Sequence, residues 1–98
     1  MKTKVAINGF GRIGRAVCRI ILDNFSDQLE LVAINDPSDK ETSVHLLKYD
    51  SNFGTWKKNP ECTDDGVRVG DITFKHFSDR EPENLPWADL GVDIVLEC

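Results

Sequence analysis

A short apolar strand that runs into closely spaced glycines and then into a helix is the feature that most constrains this chain. Val5–Ile7 is continuously apolar and β-branched at both ends, which predicts a strand buried on both faces, as in a parallel sheet. Gly9, Gly11 and Gly14 follow at once in the pattern G-x-G-x-x-G. From Arg12 onward, apolar residues recur at helical spacing, so the glycines are expected in the turn between a strand and a helix.

The first helix is predicted to begin at Arg12 and to run for about 14 residues, and the polar residues Asp23, Asn24, Ser26 and Asp27 are expected to end it. Arg15 and Arg19 lie on a different face from the apolar residues, so we expect both arginines to be solvated. The predicted apolar stripe, which should face the sheet, consists of Ile13, Ala16, Val17, Ile20 and Ile21.

A second apolar run, Leu29–Ile34, predicts the next strand of the sheet. Turn residues close this run at Asn35 and Asp36, which Pro37 follows. Because proline disfavours helical geometry in the residue before it, Asp36 is expected at the carboxyl end of the strand.

The second helix is predicted to begin at Ser38 or Asp39 and to end at Lys48. Ser38 and Glu41 are three residues apart, which fits a capping box at the start of this helix. Lys48 then lies near the negative end of the helix dipole, where we expect it to have a structural role.

Two further strands extend the predicted sheet. Residues 50–65 are polar and predict a loop with one edge strand near Trp56. Val67–Val69 and Ile72–Phe77 predict a hairpin whose second arm becomes the third strand of the sheet, and Val92–Leu96 predicts the fourth. With right-handed crossovers, the expected strand order is 3-2-1-4. The predicted fold class is therefore α/β, a truncated, Rossmann-type doubly wound parallel sheet with a small hairpin insertion.

The glycine pattern predicts a site for a diphosphate. Gly9 permits a tight turn out of the strand, Gly11 lets a pyrophosphate approach the backbone, and Gly14 lets the helix pack closely against the strand. The N–H groups at the helix start and the positive end of the helix dipole then favour an anion. Arg12 supports this prediction, because a cation in the first turn of a helix is unfavourable unless an anion is present.

Asp36 follows the glycines at the spacing expected for the acid that binds the adenosine ribose of a dinucleotide, about 20 residues further on. Its carboxylate would accept hydrogen bonds from the ribose hydroxyls and would repel a 2′-phosphate. The expected cofactor is therefore NAD rather than NADP.

Composition limits the remaining classes of function. The chain has 98 residues, which is one domain at most, and a formal net charge of −5, which disfavours a nucleic-acid partner. No apolar run is long enough to cross a membrane, and no signal-peptide core is recognisable. Three widely spaced cysteines support neither a disulfide framework nor a zinc site. A cytoplasmic location is therefore expected.

Several segments together resemble the phosphorylating glyceraldehyde-3-phosphate dehydrogenase family, in order and across nearly the whole chain. This run of matches is more specific than the glycine pattern alone. The matching segments are Val5–Arg15, Val32–Asp36, His45–Ser51, Asp79–Pro82, Leu85–Trp87 and Gly91–Val95.

The resemblance implies a role for each matching residue in binding NAD. Arg12 and Ile13 match positions whose backbone binds the diphosphate, and Asn8 and Phe10 match residues that line the dinucleotide cleft. Asp36 matches the ribose-binding acid, Arg80 matches a residue beside the adenine, and Asn35 is adjacent to that site. The complete set of expected cofactor-binding residues is Asn8, Gly9, Phe10, Gly11, Arg12, Ile13, Gly14, Asn35, Asp36 and Arg80.

The resemblance also implies a catalytic cysteine that attacks an aldehyde, assisted by a histidine. None of Cys18, Cys62 and Cys98 has the Ser-Cys-Thr-Thr-Asn context of that cysteine, so we expect no catalytic residue among residues 1–98. The chain is then the N-terminal part of a dinucleotide-binding domain, inactive by itself. Its expected partners are NAD and the remainder of the parent chain, and the parent is expected to be a homotetramer.

Two alternatives stay open from the sequence. Erythrose-4-phosphate dehydrogenase shares the N-terminal pattern, and the residues that choose between the two sugars lie beyond Cys98. The other alternative is a non-catalytic nucleotide-binding module. Because both predicted helices cover one face of the sheet, such a module would pair with another chain through the bare opposite face.

Overall fold

The computed structural model describes residues 2–50, 54–78 and 85–98. Two helices, α1 (Arg12–Asn24) and α2 (Lys40–Lys48), follow the first two long strands. The strands, in chain order, are β1 (Thr3–Asn8), β2 (Leu29–Asn35), β3 (Tyr49–Asp50), β4 (Gly54–Thr55), β5 (Pro60–Cys62), β6 (Gly66–Val69), β7 (Ile72–Phe77) and β8 (Ile94–Glu97).

Six of these strands form one sheet in the order β5-β6-β7-β2-β1-β8, and β3 pairs with β4 in a separate hairpin. The strands β7, β2, β1 and β8 are mutually parallel, which confirms the predicted order 3-2-1-4. The predicted hairpin is β6 and β7, and β5 adds an edge strand that the sequence analysis did not predict. Val5, Ala6 and Ile7 are buried because β1 is paired on both sides.

The apolar face of α1 differs from the predicted stripe. Gly14 faces the sheet so closely that an added Cβ would lie 2.2 Å from the carbonyl oxygen of Gly9. This contact sets which side of the helix is inward, and Cys18, Ile21 and Leu22 are buried on that side. The prediction was therefore wrong for two members of the stripe, Ile13 and Ile20, which are 69% and 49% exposed.

Arg19 is buried, so the prediction that it is solvated was wrong. Its Nε and Nη2 donate to the carbonyl oxygen of Leu47 at 3.0 and 2.7 Å, and Nη2 also donates to the carbonyls of Lys48 and Gly54 at 3.1 Å. The guanidinium lies over the ring of Trp56, 5.6 Å from its centroid. A charged side chain can be buried when backbone carbonyls take up its donors.

The second helix begins at Lys40, two residues later than the earliest predicted start, and its cap is different. Asp39 is the N-cap, and its side chain accepts a hydrogen bond of 2.7 Å from the N–H of Thr42. Ser38 lies one residue before this cap, and its N–H donates to Asp36 in the preceding turn. The predicted capping box of Ser38 and Glu41 is therefore wrong.

The bare sheet face expected from two helices on one side is not found in the part of the chain that the structure describes. Ala6 and Ala33 lie at the centre of the sheet and are fully buried, so their small side chains add no exposed apolar surface. Trp87, which follows β7 in the chain, packs edge-on against Phe77 with ring centroids 6.1 Å apart. Of the large apolar residues that are exposed in the described ranges, only Ile94 lies in the six-stranded sheet.

No helix in the described ranges is long and apolar enough to cross a membrane. Within the same ranges, no group of three or more His, Cys, Asp or Glu side chains is arranged to hold a metal ion.

Candidate functional site

The first strand-to-helix turn lies where the carboxyl ends of the parallel strands meet. Asn8 ends β1 and is paired with Asn35 at the end of β2 and with Glu97 at the end of β8. The chain passes from β1 through α1 to β2 on one side and returns as β8 on the other side. Ligands of open α/β sheets bind at such a switch point, outside the carboxyl ends of the strands.

The glycines of the turn differ in what requires them. Gly9 has φ +98°, and an added Cβ would lie 2.4 Å from the carbonyl oxygen of Cys98, so the backbone needs glycine there. Gly14 is required by its approach to Gly9. Gly11 has no positive φ, and no atom of the described residues lies within 4 Å of an added Cβ, so this part of the fold leaves room for a side chain. We call this open space beside Gly11, at the start of α1, the cradle.

The start of α1 is polarised for an anion. Gly11 is the N-cap and makes no side-chain capping bond, and no acidic residue lies in the first turn. The first N–H groups of a helix have no partner inside the helix, and the helix dipole adds partial positive charge. Arg12 and Ile13 are exposed on this turn, beside the open side of Gly11. A phosphate is the kind of group that such a helix start binds.

Asp36 is connected directly to this turn. Its Oδ1 accepts a hydrogen bond of 2.9 Å from the N–H of Phe10, and its Oδ2 accepts one of 3.0 Å from the N–H of Ser38. Partial burial opposes ionisation, but these bonds, a bond from the Ser38 side chain and the charge of His76 outweigh it, so the pKa of Asp36 lies below its usual range. The carboxylate is therefore ionised at neutral pH and fixed in orientation.

Phe10 contributes to the site through its backbone. Its side chain is only 3% exposed and belongs to the apolar core. Its N–H is engaged by Asp36, so it is not one of the groups directed at an anion. Its carbonyl accepts a hydrogen bond of 3.1 Å from Nη1 of Arg15.

Two residues near Asp36 were not predicted from the sequence. The Nε2 of His76 lies 3.0 Å from the hydroxyl of Ser43. This contact joins β7 to α2 close to Asp36. Burial lowers the pKa of His76, and the charge of Asp36 acts in the opposite direction. A histidine inside an apolar strand carries no sequence signal of its own, because its partner comes from an element more than 30 residues away.

The structure thus brings together most of the expected site residues. Asn8 and Asn35 lie behind the turn formed by Gly9, Phe10 and Gly11, and Asp36 is bonded to it. Arg12, Ile13 and Gly14 form the first turn of α1. The expected contact of Arg80 with adenine lies outside the described residues.

A separate cavity of about 670 Å³ lies far from this turn, between Lys2, Leu22 and Asp71. Lys2 precedes β1 and Asp71 lies in the turn between β6 and β7, so the cavity is at the opposite end of the sheet. Its lining mixes basic and acidic side chains, and none of the motif residues borders it. This cavity is therefore separate from the glycine turn.

Comparisons with known proteins match nearly the whole chain. Residues 3–98 match the family model described as "Glyceraldehyde 3-phosphate dehydrogenase, NAD binding domain". The chain is 50% identical over 94 residues to a glyceraldehyde-3-phosphate dehydrogenase of Borreliella burgdorferi, with 96% of this chain and 27% of the relative covered. It is 50% identical over 96 residues to glyceraldehyde-3-phosphate dehydrogenase 2 of a Synechocystis species, with 98% and 28% covered.

A third relative, the glyceraldehyde-3-phosphate dehydrogenase of Streptomyces coelicolor, is 47% identical over 97 residues. Here 99% of this chain and 29% of the relative are covered. The chain therefore spans less than a third of the length of these relatives, and the similarity concerns the part that the family model describes.

Proposed function

The chain belongs to the family of NAD-binding domains of glyceraldehyde-3-phosphate dehydrogenases, and from this premise we propose that its first strand-to-helix turn binds the diphosphate of NAD. The observation that carries the proposal is the cradle at Gly11, open on its outer side and placed over a helix start without a side-chain cap. The N–H groups of Ile13 and Gly14 and the first-turn cation Arg12 would hold the diphosphate there.

Asp36 would hold the adenosine ribose. Each of its carboxylate oxygens accepts a single backbone N–H in the hydrogen bonds described above and keeps lone-pair capacity for a ribose hydroxyl. Its negative charge favours NAD over NADP because a 2′-phosphate would be repelled. Asn8, Gly9 and Asn35 would support the turn from the strand ends, and Arg80 would lie beside the adenine.

For the whole protein we propose the activity of the relatives, oxidation and phosphorylation of glyceraldehyde 3-phosphate. When bound, NAD supplies the acceptor for the hydride that leaves the substrate. The names of the relatives reported above favour this substrate over erythrose 4-phosphate.

The catalytic cysteine and histidine are proposed to lie beyond these residues. Cys18 is fully buried, and burial raises the pKa of its thiol far above the usual value. Burial also raises the pKa of Cys62 and of Cys98, each with a neighbouring carboxylate acting in the same direction. A catalytic thiol needs the opposite shift, because the thiolate is the nucleophile.

The proposal extends to partners and location. The remainder of the parent chain would complete the cleft for the nicotinamide half, and the parent would be a homotetramer, which light scattering of the full-length protein would test. All three cysteines are free, which supports a reducing compartment such as the cytoplasm.

The experiment that tests cofactor binding replaces Asp36 in the full-length protein. Asp36→Asn should weaken NAD binding by about 10- to 100-fold, because hydrogen bonds to a charged group are worth about 1.5–3 kcal/mol. NADP binding should weaken much less, because the repelling charge is removed. Isothermal titration calorimetry with both dinucleotides measures the two effects.

Asp27→Asn is the matched control, because it makes the same chemical change at an exposed residue beside the distant cavity. It should leave both affinities within about twofold of the parent, as expected for a distant surface charge. Equal effects of the two substitutions on NAD, or no binding of NAD by the unmodified protein, would contradict the proposal.

A further inference from the structure

Three polar side chains stand in a row across the carboxyl edge of the sheet. They are Asn35 at the end of β2, Asn8 at the end of β1 and Glu97 at the end of β8, and the register pairs Asn8 with both of the others. Glu97 was not among the residues expected from the sequence to take part in the site. It lies one residue before Cys98, whose carbonyl oxygen approaches Gly9.

These side chains form a hydrogen-bonded chain with one direction. The Nδ2 of Asn35 donates to Oδ1 of Asn8 at 2.9 Å, and Nδ2 of Asn8 donates to Oε1 of Glu97 at 2.9 Å. An ionised carboxylate only accepts hydrogen bonds, so Glu97 must receive the amide hydrogen of Asn8. The Asn8 side chain is therefore held from both neighbouring strands.

The backbone next to Asn8 is held in the same way. The N–H of Gly9 donates to the carbonyl of Asn35 at 2.7 Å, and the N–H of Cys98 donates to the carbonyl of Asn8 at 2.9 Å. Asn8 is the last residue before the glycine turn, so its position sets the direction in which the turn leaves the sheet. A side chain held on both sides restricts that direction more than main-chain bonds alone.

The negative charge of Glu97 would not attract the diphosphate, so Glu97 cannot favour NAD binding by electrostatic attraction. Its exposed carboxylate lies on the strand next to a turn that binds an anion in the proposed function, and like charges repel. Any benefit of Glu97 to the cofactor must therefore come through the hydrogen bond to Asn8. The two effects have opposite signs, which makes them separable by experiment.

We propose that Glu97 is a positioning residue for the dinucleotide, acting through Asn8 to hold the glycine turn in the geometry that receives the diphosphate. This inference rests on the proposed function, because it concerns the same turn. It adds a residue on the last strand to the site and gives Asn8 a supporting role in place of a direct contact.

The test uses four variants of the full-length protein: Glu97→Ala, Glu97→Gln, Asn8→Asp and the double variant Asn8→Asp/Glu97→Gln. Glu97→Ala removes both the charge and the acceptor, and it should weaken NAD binding about tenfold. Glu97→Gln keeps an acceptor oxygen and removes only the charge, so its affinity should equal or exceed that of the parent. Asn8→Asp places two carboxylates in contact and should weaken binding by at least about tenfold.

The double variant is matched to the parent in net charge and in side-chain shape. The amide of the introduced glutamine can donate to the introduced aspartate, so the bond is restored with its direction reversed. We expect the double variant to recover most of the affinity lost in Asn8→Asp, to within about threefold of the parent, which is less than 1 kcal/mol.

Calorimetric titration with NAD and urea unfolding, both done on all variants, separate positioning from stability. We expect the affinities for NAD to change as described above while the unfolding midpoints stay close to that of the parent. If Glu97→Ala does not fold, the comparison of Asn8→Asp with the double variant decides. NAD binding by the parent together with equal or tighter binding by Glu97→Ala, or no recovery in the double variant, would overturn the inference alone. Absence of NAD binding by the parent would instead overturn the proposed function.

Discussion

The glycine turn and the Arg19 cluster are two polar regions on the same helix that use their hydrogen-bonding groups in opposite ways. The Arg19 cluster consists of Arg19, Lys48 and Trp56. In it, the guanidinium and the ammonium group donate to carbonyls in the last turn of α2 and in the chain that follows it. At the glycine turn, the helix start has no side-chain cap and no acidic neighbour in its first turn. One region uses its donors inside the protein, and the other is an exposed helix start that no N-cap side chain closes.

This difference distinguishes a cation with a structural role from a cation at a ligand site in this fold. Arg12 and Arg19 are on the same helix, yet Arg12 is exposed beside the cradle and Arg19 is buried under Trp56. A buried charge is tolerated when backbone carbonyls surround it. An exposed cation at the positive end of a helix is favoured by a nearby anion, which fits the proposed binding of the diphosphate.

The largest expected effect comes from exchanging the two arginines for methionine in turn. Arg19→Met should lower the free energy of unfolding by about 3 kcal/mol, because it leaves the carbonyls of Leu47, Lys48 and Gly54 without a buried donor. Its effect on NAD affinity should be small, since the cluster is not in contact with the turn. Urea unfolding followed by Trp fluorescence measures the first quantity.

Arg12→Met is the matched control and should show the reverse pattern. The free energy of unfolding should change much less than in Arg19→Met, because Arg12 is exposed and Arg19 is buried, while NAD affinity should fall about tenfold. Equal destabilisation by both substitutions would break the distinction between the two regions.

A smaller effect is expected at Lys48, whose ammonium group donates to the carbonyls of Trp56 and Lys58 at 2.8 and 2.9 Å and to Oδ1 of Asn59 at 2.6 Å. Lys48→Met should lower the free energy of unfolding by about 1–2 kcal/mol, less than Arg19→Met because Lys48 is only partly buried. Unchanged stability in this variant would mean that solvent replaces the lysine without cost. The structural role expected from the sequence for Lys48 would then be wrong.

The smallest effect concerns pH. Burial lowers the pKa of His76 below its usual 6.5; the charge of Lys40 acts in the same direction, and the charges of Asp36, Asp39 and Glu41 oppose it. The unfolded chain therefore binds a proton at His76 more readily than the folded chain does. The stability present above pH 6.5 should decrease as the pH falls through the pKa of His76 in the folded state.

His76→Gln should flatten this dependence, because glutamine can keep the bond to Ser43 but does not titrate. Urea midpoints between pH 5 and 8 measure it. A profile with the same slope in both proteins would assign the pH dependence to another group.

The sequence predicted the parts of the fold that follow from local pattern. The buried strand Val5–Ile7, the glycine spacing and the turn at Asp36 are properties of neighbouring residues, and the strand order follows from the handedness of crossovers. The family resemblance rests on the same contiguous segments, and the family match over residues 3–98 confirms it.

The parts that could not be predicted depend on contacts between distant segments. Arg19 was expected to be solvated because a helical pattern cannot show that carbonyls of residues 47, 48 and 54 converge on one side chain. The inward face of α1 was misplaced because the close approach of Gly14 to Gly9 outweighs the apolar pattern. The link of Glu97 to Asn8 joins residues 89 positions apart in the chain.

If Gly11 is open for a diphosphate while Gly14 is required by packing, alanine at these two positions should have different effects on NAD binding and on stability. Gly11→Ala in the full-length protein should leave the urea midpoint near that of the parent, because an added Cβ meets no atom within 4 Å among residues 2–50, 54–78 and 85–98. Gly14→Ala should destabilise the fold, because its Cβ would lie 2.2 Å from a backbone oxygen. We expect NAD binding to Gly11→Ala, measured by calorimetry, to be weakened about 100-fold or more, or about 2.7 kcal/mol. Undiminished NAD binding by a stably folded Gly11→Ala variant would contradict the account.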